Sequence, residues 1–229
     1  MISYNTCETF SLMARMDALA AQIVARAAPI HFGVAQSPAG PKAVYRLRYC
    51  VVIERGWAKP EDFPDGLEHD AYDDRAVQLG AWDGEVLAGT ARLVLPAPGQ
   101  PLPTEEAFGL EIGPAGQVVD VGRVCVAPAY RDAQHRVFWG LLSQAWIEWR
   151  VRGFTQACSI LTASVARICR RCGLQVVTLG PPRSYWSEVR APALIRAADS
   201  IHTIIKVMDR SQVEPGGATF QRQMKEIRA

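Results

Sequence analysis

The sequence predicts an α+β domain in which helices cover a mixed β-sheet. Three observations carry this: a hairpin pattern over residues 76–95, a β-branched run at Val118–Val126, and alternating helical and extended segments from there to Leu179. The order strand, strand, long loop, strand, helix, strand, helix, strand excludes a sandwich or a bundle. With 229 residues, 49% of them apolar, the chain suffices for one large domain. We read residues 1–229 as that domain, with an N-terminal helical extension (about 1–36) and a C-terminal helical segment (about 191–229).

Phe10, Met13, Met16, Ala20, Ile23 and Ala27 fall on one helical stripe, so residues 8–27 read as an amphipathic helix packed on the domain. Ser37-Pro38-Ala39-Gly40-Pro41 breaks the chain before a helix over Ala43–Glu54 that carries Arg46 and Arg48. Trp57–Asp74 is aperiodic and holds Glu61, Asp62, Asp65, Glu68, Asp70, Asp73 and Asp74, either a solvated acidic loop or a site for a cation or amine. Strands at Ala76–Trp82 and Glu85–Leu95 flank the turn dipeptide Asp83-Gly84. Pro96–Gln117 reads as a long loop and Val118–Val126 as a buried central strand. Asp132 is placed to cap a helix that buries Phe138, Leu141, Leu142, Ala145, Trp146 and Trp149 and stops at Gly153. Thr155–Leu161 is a strand, Thr162 caps a helix running through Cys172, Gly173 ends it, and Leu174–Leu179 is extended.

Lysines and arginines number 25 against 23 aspartates and glutamates, so the net charge of +2 gives no general reason to invoke nucleic acid or an anionic membrane. No apolar run approaches the ~20 residues that span a bilayer, and the first residues have no basic, then apolar, leader pattern, which points to the cytoplasm. Six cysteines in that setting read as thiols, mostly buried. The Cys169-Arg170-Arg171-Cys172 spacing reads as the inner face of a helix, since no second pair completes a four-ligand metal site.

Charged residues inside the central strand require an explanation. Strict alternation puts Asp120 and Gly122 on one face and Arg123 on the other. One reading is an ion pair that ties this strand to a neighbour, for instance through Arg92. The other is a site within the sheet, where a bulge near Gly122 re-aims side chains and frees backbone donors. Cys125 shares the face of Arg123 by parity and reads as a small buried hydrophobe.

Arg48, Val52, Trp57, Glu68-His69-Asp70-Ala71-Tyr72-Asp73, Gly89-Thr90-Ala91-Arg92-Leu93 and Asp120-Val121-Gly122-Arg123 resemble the successive motifs of the acyl-homoserine lactone synthases of the GNAT superfamily. Arg46-Leu47-Arg48-Tyr49, Asp62-Phe63-Pro64-Asp65-Gly66-Leu67-Glu68, Leu102-Pro103 and Arg170-Arg171-Cys172-Gly173-Leu174 bring the chain closer to their relatives, the N-acyl amino acid synthases and exosortase-associated acyltransferases. The resemblance runs from about Arg46 to Pro192. It implies a GNAT-like, splayed mixed sheet and an N-acyltransferase that moves a fatty acyl chain from acyl carrier protein to the α-amine of an amino acid, with no tightly bound cofactor. The acyl-phosphopantetheine of the carrier is then the donor substrate.

The resemblance assigns Asp120, Glu68 and Arg123 as catalytic residues, with Asp120 taking the amine proton through water and the backbone N–H at Val124 holding the oxyanion. Glu68, Asp70 and Asp73 with Arg48 and Arg92 form a charged network that shapes the acceptor pocket, and Trp57 and Phe63 wall an acyl tunnel. Asp120 and Gly122 stand where the relatives carry Glu and usually Ser. Near the end, Tyr185-Trp186-Ser187-Glu188 departs from their pattern, which implies a different acceptor pocket.

Gln134 and Arg136 replace the small residues with which coenzyme A-dependent GNAT enzymes cradle a pyrophosphate. From Tyr130 to Arg171 the chain has seven arginines, including Arg131, Arg136, Arg170 and Arg171, against Asp132 and Glu148, which suits an acidic carrier protein. The alternatives are an acyl-homoserine lactone synthase that uses S-adenosylmethionine, a coenzyme A-dependent acetyltransferase, and a GNAT-like binding module without catalysis.

Overall fold

The structure is a computed structural model that describes residues 6–36, 40–132 and 134–213, with side chains for 11–36, 40–132 and 134–206. The predicted break at Ser37–Ala39, the side chains of Cys7 and Phe10, and residues 214–229 of the predicted C-terminal segment lie outside the described residues.

Helix α1 (Thr6–Arg26) and strand β1 (His31–Val34) precede α2 (Gly40–Glu54). Two 3-10 turns, Pro60–Asp62 and Ala71–Arg75, interrupt the acidic segment before the hairpin β2 (Ala76–Asp83) and β3 (Val86–Val94). A short helix α3 (Pro103–Phe108) leads to β4 (Val118–Val126), α4 (Arg136–Val151), β5 (Gln156–Thr162) and α5 (Ala163–Arg171). The chain closes with β6 (Val176–Thr178), β7 (Arg183–Tyr185), β8 (Glu188–Arg196) and α6 (Ala197–Val213). The sheet order is β1-β2-β3-β4-β5-β8-β6, with β7 also on β8. Its one parallel pair is β4 with β5, so the sheet is mixed as predicted.

Alternation along the strands sends Leu79, Ala91, Leu93, Val119 and Val121 to one face, where they form a core with Val137, Leu141, Ala145 and Trp149 of α4. Met13 and Ala20 of α1 and Ile201 and Ile205 of α6 join the same core, so the methionine stripe of the first helix is packing. Asp17 fixes α1 to α4 by accepting from Trp146 Nε1 at 2.8 Å and Arg150 Nε at 3.2 Å. The opposite face carries buried Gln78, Thr90, Arg92 and Asp120 beneath α2 and α3.

Two irregularities in β4 open this polar face. The parallel pairing with β5 covers Val118–Asp120 against Gln156–Cys158, while β5 continues alongside β8 as far as Thr162. The strands splay from Val121, whose carbonyl accepts from Ser159 Oγ at 2.7 Å. Against β3, Arg92 pairs with Gly122 and Thr90 with Cys125, so Arg123 and Val124 together face the single residue Ala91. This is the bulge expected beside Gly122, and Arg123 adopts φ 51° within it.

Several predicted boundaries differ. The hairpin loop is Gly84-Glu85, one residue beyond the predicted dipeptide, because Ala88 is extra on β3 where Ala81 pairs with Gly89 and Trp82 with Leu87. The long loop contains α3, whose first turn is set by Pro103 at N1 and by Glu105 accepting from the Leu102 N–H at 2.7 Å. The C-terminal segment starts as a strand, since Arg190–Arg196 pair residue by residue with β5, and becomes helical at Ala197. Asp132 caps α4 as expected, accepting from the Arg136 N–H at 3.1 Å, although His135 occupies the cap position itself.

Gly173 ends α5 as predicted, with φ 91° and its N–H on the Arg170 carbonyl at 3.0 Å. A Cβ there would lie 2.7 Å from the Ile204 nitrogen in α6. Gly173→Ala is therefore expected to cost roughly 2–4 kcal/mol, the sum of a left-handed alanine and an overpacked helix contact, read as a lower urea midpoint at unchanged slope.

Candidate active site

Three arginines and three carboxylates from four segments meet under α2. Helix α2 points Arg48 inward at 0% exposure. Glu68 follows the first 3-10 turn and is anchored by its own N–H on the Tyr45 carbonyl at 3.1 Å. Asp70 and Asp73 hold the second turn as reciprocal caps, Asp70 accepting from the Tyr72 N–H at 2.9 Å and Asp73 from the Asp70 N–H at 2.8 Å. Strand β3 contributes Arg92 and the β4 bulge contributes Arg123.

These six side chains close into an alternating ring. Arg48 Nε donates to Glu68 Oε2, and Glu68 Oε1 accepts from Arg123 Nε at 3.0 Å. Arg123 Nη2 reaches Asp70 Oδ2 at 3.0 Å, and Asp70 Oδ1 accepts from Arg92 Nη1 at 2.6 Å. Arg92 Nη1 also meets Asp73 Oδ1 at 3.2 Å, and Arg48 grips Asp73 with two bonds of 2.8 and 3.2 Å, which closes the circuit. Each carboxylate touches two guanidiniums, so the six charges balance, with Arg48, Glu68, Asp73 and Arg92 buried and Asp70 and Arg123 half-buried. Burial alone would raise the Asp73 carboxyl, but the hydrogen bonds and charges of Arg48 and Arg92 hold it down to about 2. Burial would lower Arg48 and Arg123, yet the carboxylates around them raise both above the usual arginine range.

The network predicted from Arg48, Glu68, Asp70, Asp73 and Arg92 is thus assembled, and Arg123 belongs to it. Its placement on the face opposite Asp120 and Gly122 is corrected, because the bulge shifts the alternation by one residue and turns Arg123 toward Glu68 and Asp70. Cys125 moves to the same side, opposite Thr90, where burial pushes its thiol up to about 11.

Asp120 does not pair with Arg92. Its Oδ2 accepts from the Thr104 N–H of α3 at 2.8 Å and from the Cys158 thiol at 3.4 Å, at 3% exposure. Burial raises this carboxyl, outweighing the Thr104 and Cys158 bonds that lower it. Its Oδ1 points to the space that Gly122 leaves: a Cβ there would meet that oxygen at 3.7 Å and nothing else within 4 Å.

Above the ring lies a cleft of about 330 Å³. Glu68, Asp70, Arg92 and Arg123 form its floor, Tyr72 and the α3 residues Pro103, Glu106 and Ala107 one wall, and Phe63 and His69 the other. Tyr72 donates to Glu106 at 2.5 Å across that wall. Phe63, expected with Trp57 to wall an acyl tunnel, lines this cleft. Trp57 does not line it; its ring packs under Arg190 at 4.5 Å and its carbonyl accepts from Ser187 at 3.3 Å.

The roof is Tyr185 and Trp186 at the tip of the β7–β8 hairpin, the segment whose departure from the relatives implied a different acceptor pocket. Trp186 and Ser187 form the two-residue loop, both left-handed at φ 53° and 55°, a conformation that costs a side-chain-bearing residue about 1–2 kcal/mol. Arg123 lies 4.5 Å from the Trp186 ring, and Phe63 lies 6.4 Å from it on centroids.

The four arginines read as one partner surface are divided. Arg131 follows the C-terminal end of β4 and donates two hydrogen bonds to Glu54 at 2.7 and 2.6 Å, and Arg136 pairs with Asp132 at 2.7 Å. Arg170 and Arg171 sit in the last turn of α5, which returns to the opposite end of the parallel pair, and Arg170 donates to the Val176 carbonyl at 3.0 Å. Adjacency in sequence is not adjacency in space here, because the β4-α4-β5-α5 path crosses the sheet end to end. Cys169 is buried inside α5 as predicted and Cys172 is half-buried at its end, with burial pushing their thiols up to about 12 and about 11. Cys50, exposed on α2, departs from the expected burial. Among the described residues, no group of His, Cys, Asp and Glu is placed to hold a metal ion, and no helix is long and apolar enough to cross a membrane.

The sequence-family model of the N-acyl amino acid synthase FeeM matches residues 43–199, which span α2 through the start of α6 and contain every residue of the ring and cleft. The chain belongs to the FeeM N-acyl amino acid synthase family. Its members are acyltransferases, and the matched stretch leaves α1 and most of α6 outside the family model. No curated protein matches the sequence. Among solved structures, FeeM from uncultured soil microbes superposes with a TM-score of 0.61 at 15% identity, over 79% of this chain and 97% of that one. The coenzyme A-dependent acyl-homoserine lactone synthase BjaI, solved with S-adenosylmethionine and isopentyl-CoA, gives 0.60 at 25% identity, over 79% and 88%. TofI, solved with an inhibitor and MTA, gives 0.61 at 24% identity, over 77% and 96%. The fold of this FeeM-family chain is thus GNAT-like, as the sequence implied.

Neutralising Asp73 leaves Arg48 with Glu68 and Arg92 with Asp70 but puts one positive charge in excess inside the ring. Asp73→Asn in this FeeM-family enzyme is expected to cost about 3–5 kcal/mol in urea unfolding. The pH dependence has a definite sign. The Asp73 carboxyl falls from 3.8 to about 2 on folding, so its contribution, roughly 2 kcal/mol, is complete above about pH 4 and is lost as pH falls through about 2. That acid limb should flatten in the variant.

Proposed function

We propose that this enzyme transfers a fatty acyl chain from acyl carrier protein to the α-amine of an amino acid. The observation that carries this reading is the β4 bulge at Arg123-Val124, which lies where β4 parts from β5 and beside the charged floor of the cleft. A splayed parallel pair offers an extended thioester arm a slot between strands, and a bulge leaves the extra residue outside the ladder, so the Val124 N–H serves as the oxyanion donor. The amine nitrogen attacks the thioester carbonyl, the C–N bond forms as the C–S bond breaks, and the thiolate leaves to be protonated. Asp120 accepts the amine proton through a water in the space at Gly122, and burial, which raises its pKa, makes it the stronger base. Glu68 and Arg123 act from the ring, Glu68 as a buried floor carboxylate bound to the bulge arginine and Arg123 as the cation that fixes Glu68 and Asp70 under the acceptor.

The carrier-protein donor is favoured by the start of α4. There the Asp132 carboxylate accepts from the N–H and Nε of Arg136 at 3.1 and 2.7 Å, so the chain's own anion occupies the helix end that would otherwise attract a diphosphate. Arg136 remains half-exposed for an acidic partner, whereas Arg131 is committed to Glu54. The reading places the reaction in the cytoplasm, where acyl carrier protein circulates.

Asp120→Asn keeps an oxygen for the Thr104 N–H and removes the base. It is expected to lower kcat with acyl carrier protein by roughly 100-fold or more, with little change in melting temperature; unchanged turnover would move the base to another group. Mass spectrometry of the product separates the readings, since an acyl-homoserine lactone opens in mild base and an N-acyl amino acid does not. Acyl carrier protein should outperform acyl-coenzyme A in kcat/KM, and Arg136→Glu should raise KM for the carrier several-fold at low salt, less so near physiological salt. Preference for acyl-coenzyme A with no effect of Arg136→Glu would assign the donor to coenzyme A.

A further inference from the structure

We propose that Trp186 is the specificity-determining residue of the acceptor pocket, admitting amino acids with small side chains and excluding large ones. The proposal rests on the acyltransferase reading for the identity of the acceptor, but its evidence is the hairpin tip.

Two-residue hairpin loops with both residues left-handed strongly favour Asn-Gly, because a side chain on Cβ opposes that conformation. Here the loop is Trp186-Ser187 at φ 53° and 55°, and the first position carries the bulkiest side chain available. Backbone preference does not explain that choice, so contacts of the side chain must offset it. The contacts all point into the cleft. The indole lies 4.5 Å from the Arg123 guanidinium, with Phe63 at 6.4 Å and Tyr185 at 6.5 Å between ring centroids. The turn thus spends conformational energy to hold one flat ring over the floor.

The other boundaries have little freedom to set the pocket's size. The floor is locked by the charge ring, and the α3 wall is fixed by its proline start and by Glu105 bonds to the Leu102 and Ile112 N–H groups at 2.7 and 2.8 Å. The roof is held by ring faces and by the Ser187 hydroxyl on Trp57 at 3.3 Å. The cleft of about 330 Å³ must take both the thioester head and the acceptor. With the indole lying on Arg123, the space left suits an acceptor whose side chain is small.

The test compares wild type with Trp186→Ala, Trp186→Phe and Ser187→Gly across glycine, alanine, leucine, phenylalanine and tryptophan. Binding is read by calorimetry on the full chain and acylation by kcat/KM with an acyl carrier protein donor. Wild type should favour glycine and alanine. Trp186→Ala should shift the ratio of kcat/KM for phenylalanine over alanine at least tenfold toward phenylalanine, with the same reordering in binding, and Trp186→Phe should fall between. Ser187→Gly relieves one left-handed side chain and gives up the hydroxyl bond to Trp57, so the melting temperature should change little, and because the indole remains the acceptor ranking should be preserved. A folded Trp186→Ala or Trp186→Phe with the wild-type ranking overturns the proposal alone. If wild type favours the large acceptors, the proposal also fails while the acyltransferase reading stands. If wild type binds and acylates no amino acid, both fail together.

Discussion

The closed ring of Arg48, Glu68, Arg123, Asp70, Arg92 and Asp73 is the interaction on which the site depends. Four of its ions are buried and two half-buried; ions leave water only if each finds opposite charge at hydrogen-bonding distance, and an alternating circuit satisfies that condition for all of them at once. It also solves a problem of chain organisation. The segment between α2 and β2 has only short 3-10 turns of its own, and the ring ties its carboxylates to a helix and two strands. A floor built from that loop thereby acquires the rigidity of the sheet.

The bulge in β4 supplies what a regular strand cannot. It changes the phase of the pleat, so residues ahead of it obey one facing rule and residues beyond it the other. Arg123 reaches the ring only because of this shift, and its left-handed backbone is held by ion pairs to Glu68 and Asp70. Asp120, two residues before the arginine's neighbour on the same polar face, stays out of the circuit and keeps its proton affinity high. One sheet face thus holds carboxylates in separate environments, some paired with arginines and one buried away from them.

Much of this was legible in the sequence because it depends on local rules. The helical stripe with Met13 and Ala20, the Thr162 cap, the Gly173 stop and the β-branched run at Val118 follow from periodicity and turn chemistry, and all appear in the structure. The network residues followed from a resemblance of motifs in order. Most of what escaped depends on long-range pairing. Residues 188–196 become a strand because β5 offers them an edge, whereas the helix at 103–108 rests on a local proline start and Glu105 cap that the loop reading passed over. The face of Arg123 depends on a one-residue insertion that parity cannot reveal, and the departure at Trp186 implied a different acceptor pocket without showing that the hairpin folds the indole onto a residue 63 positions earlier.

The ring has a further consequence for how such a chain can change over generations. Its members come from positions 48, 68–73, 92 and 123, so a charge lost in one segment must be answered in another, and single substitutions there meet a barrier that paired ones do not. Glu61, Asp62, Asp65 and Asp74 lie in the same acidic stretch but are exposed, outside the circuit. Sequence drift in this loop should therefore be sharply uneven. Three acids are held in lockstep with distant arginines while their neighbours wander, although composition alone makes all seven look alike.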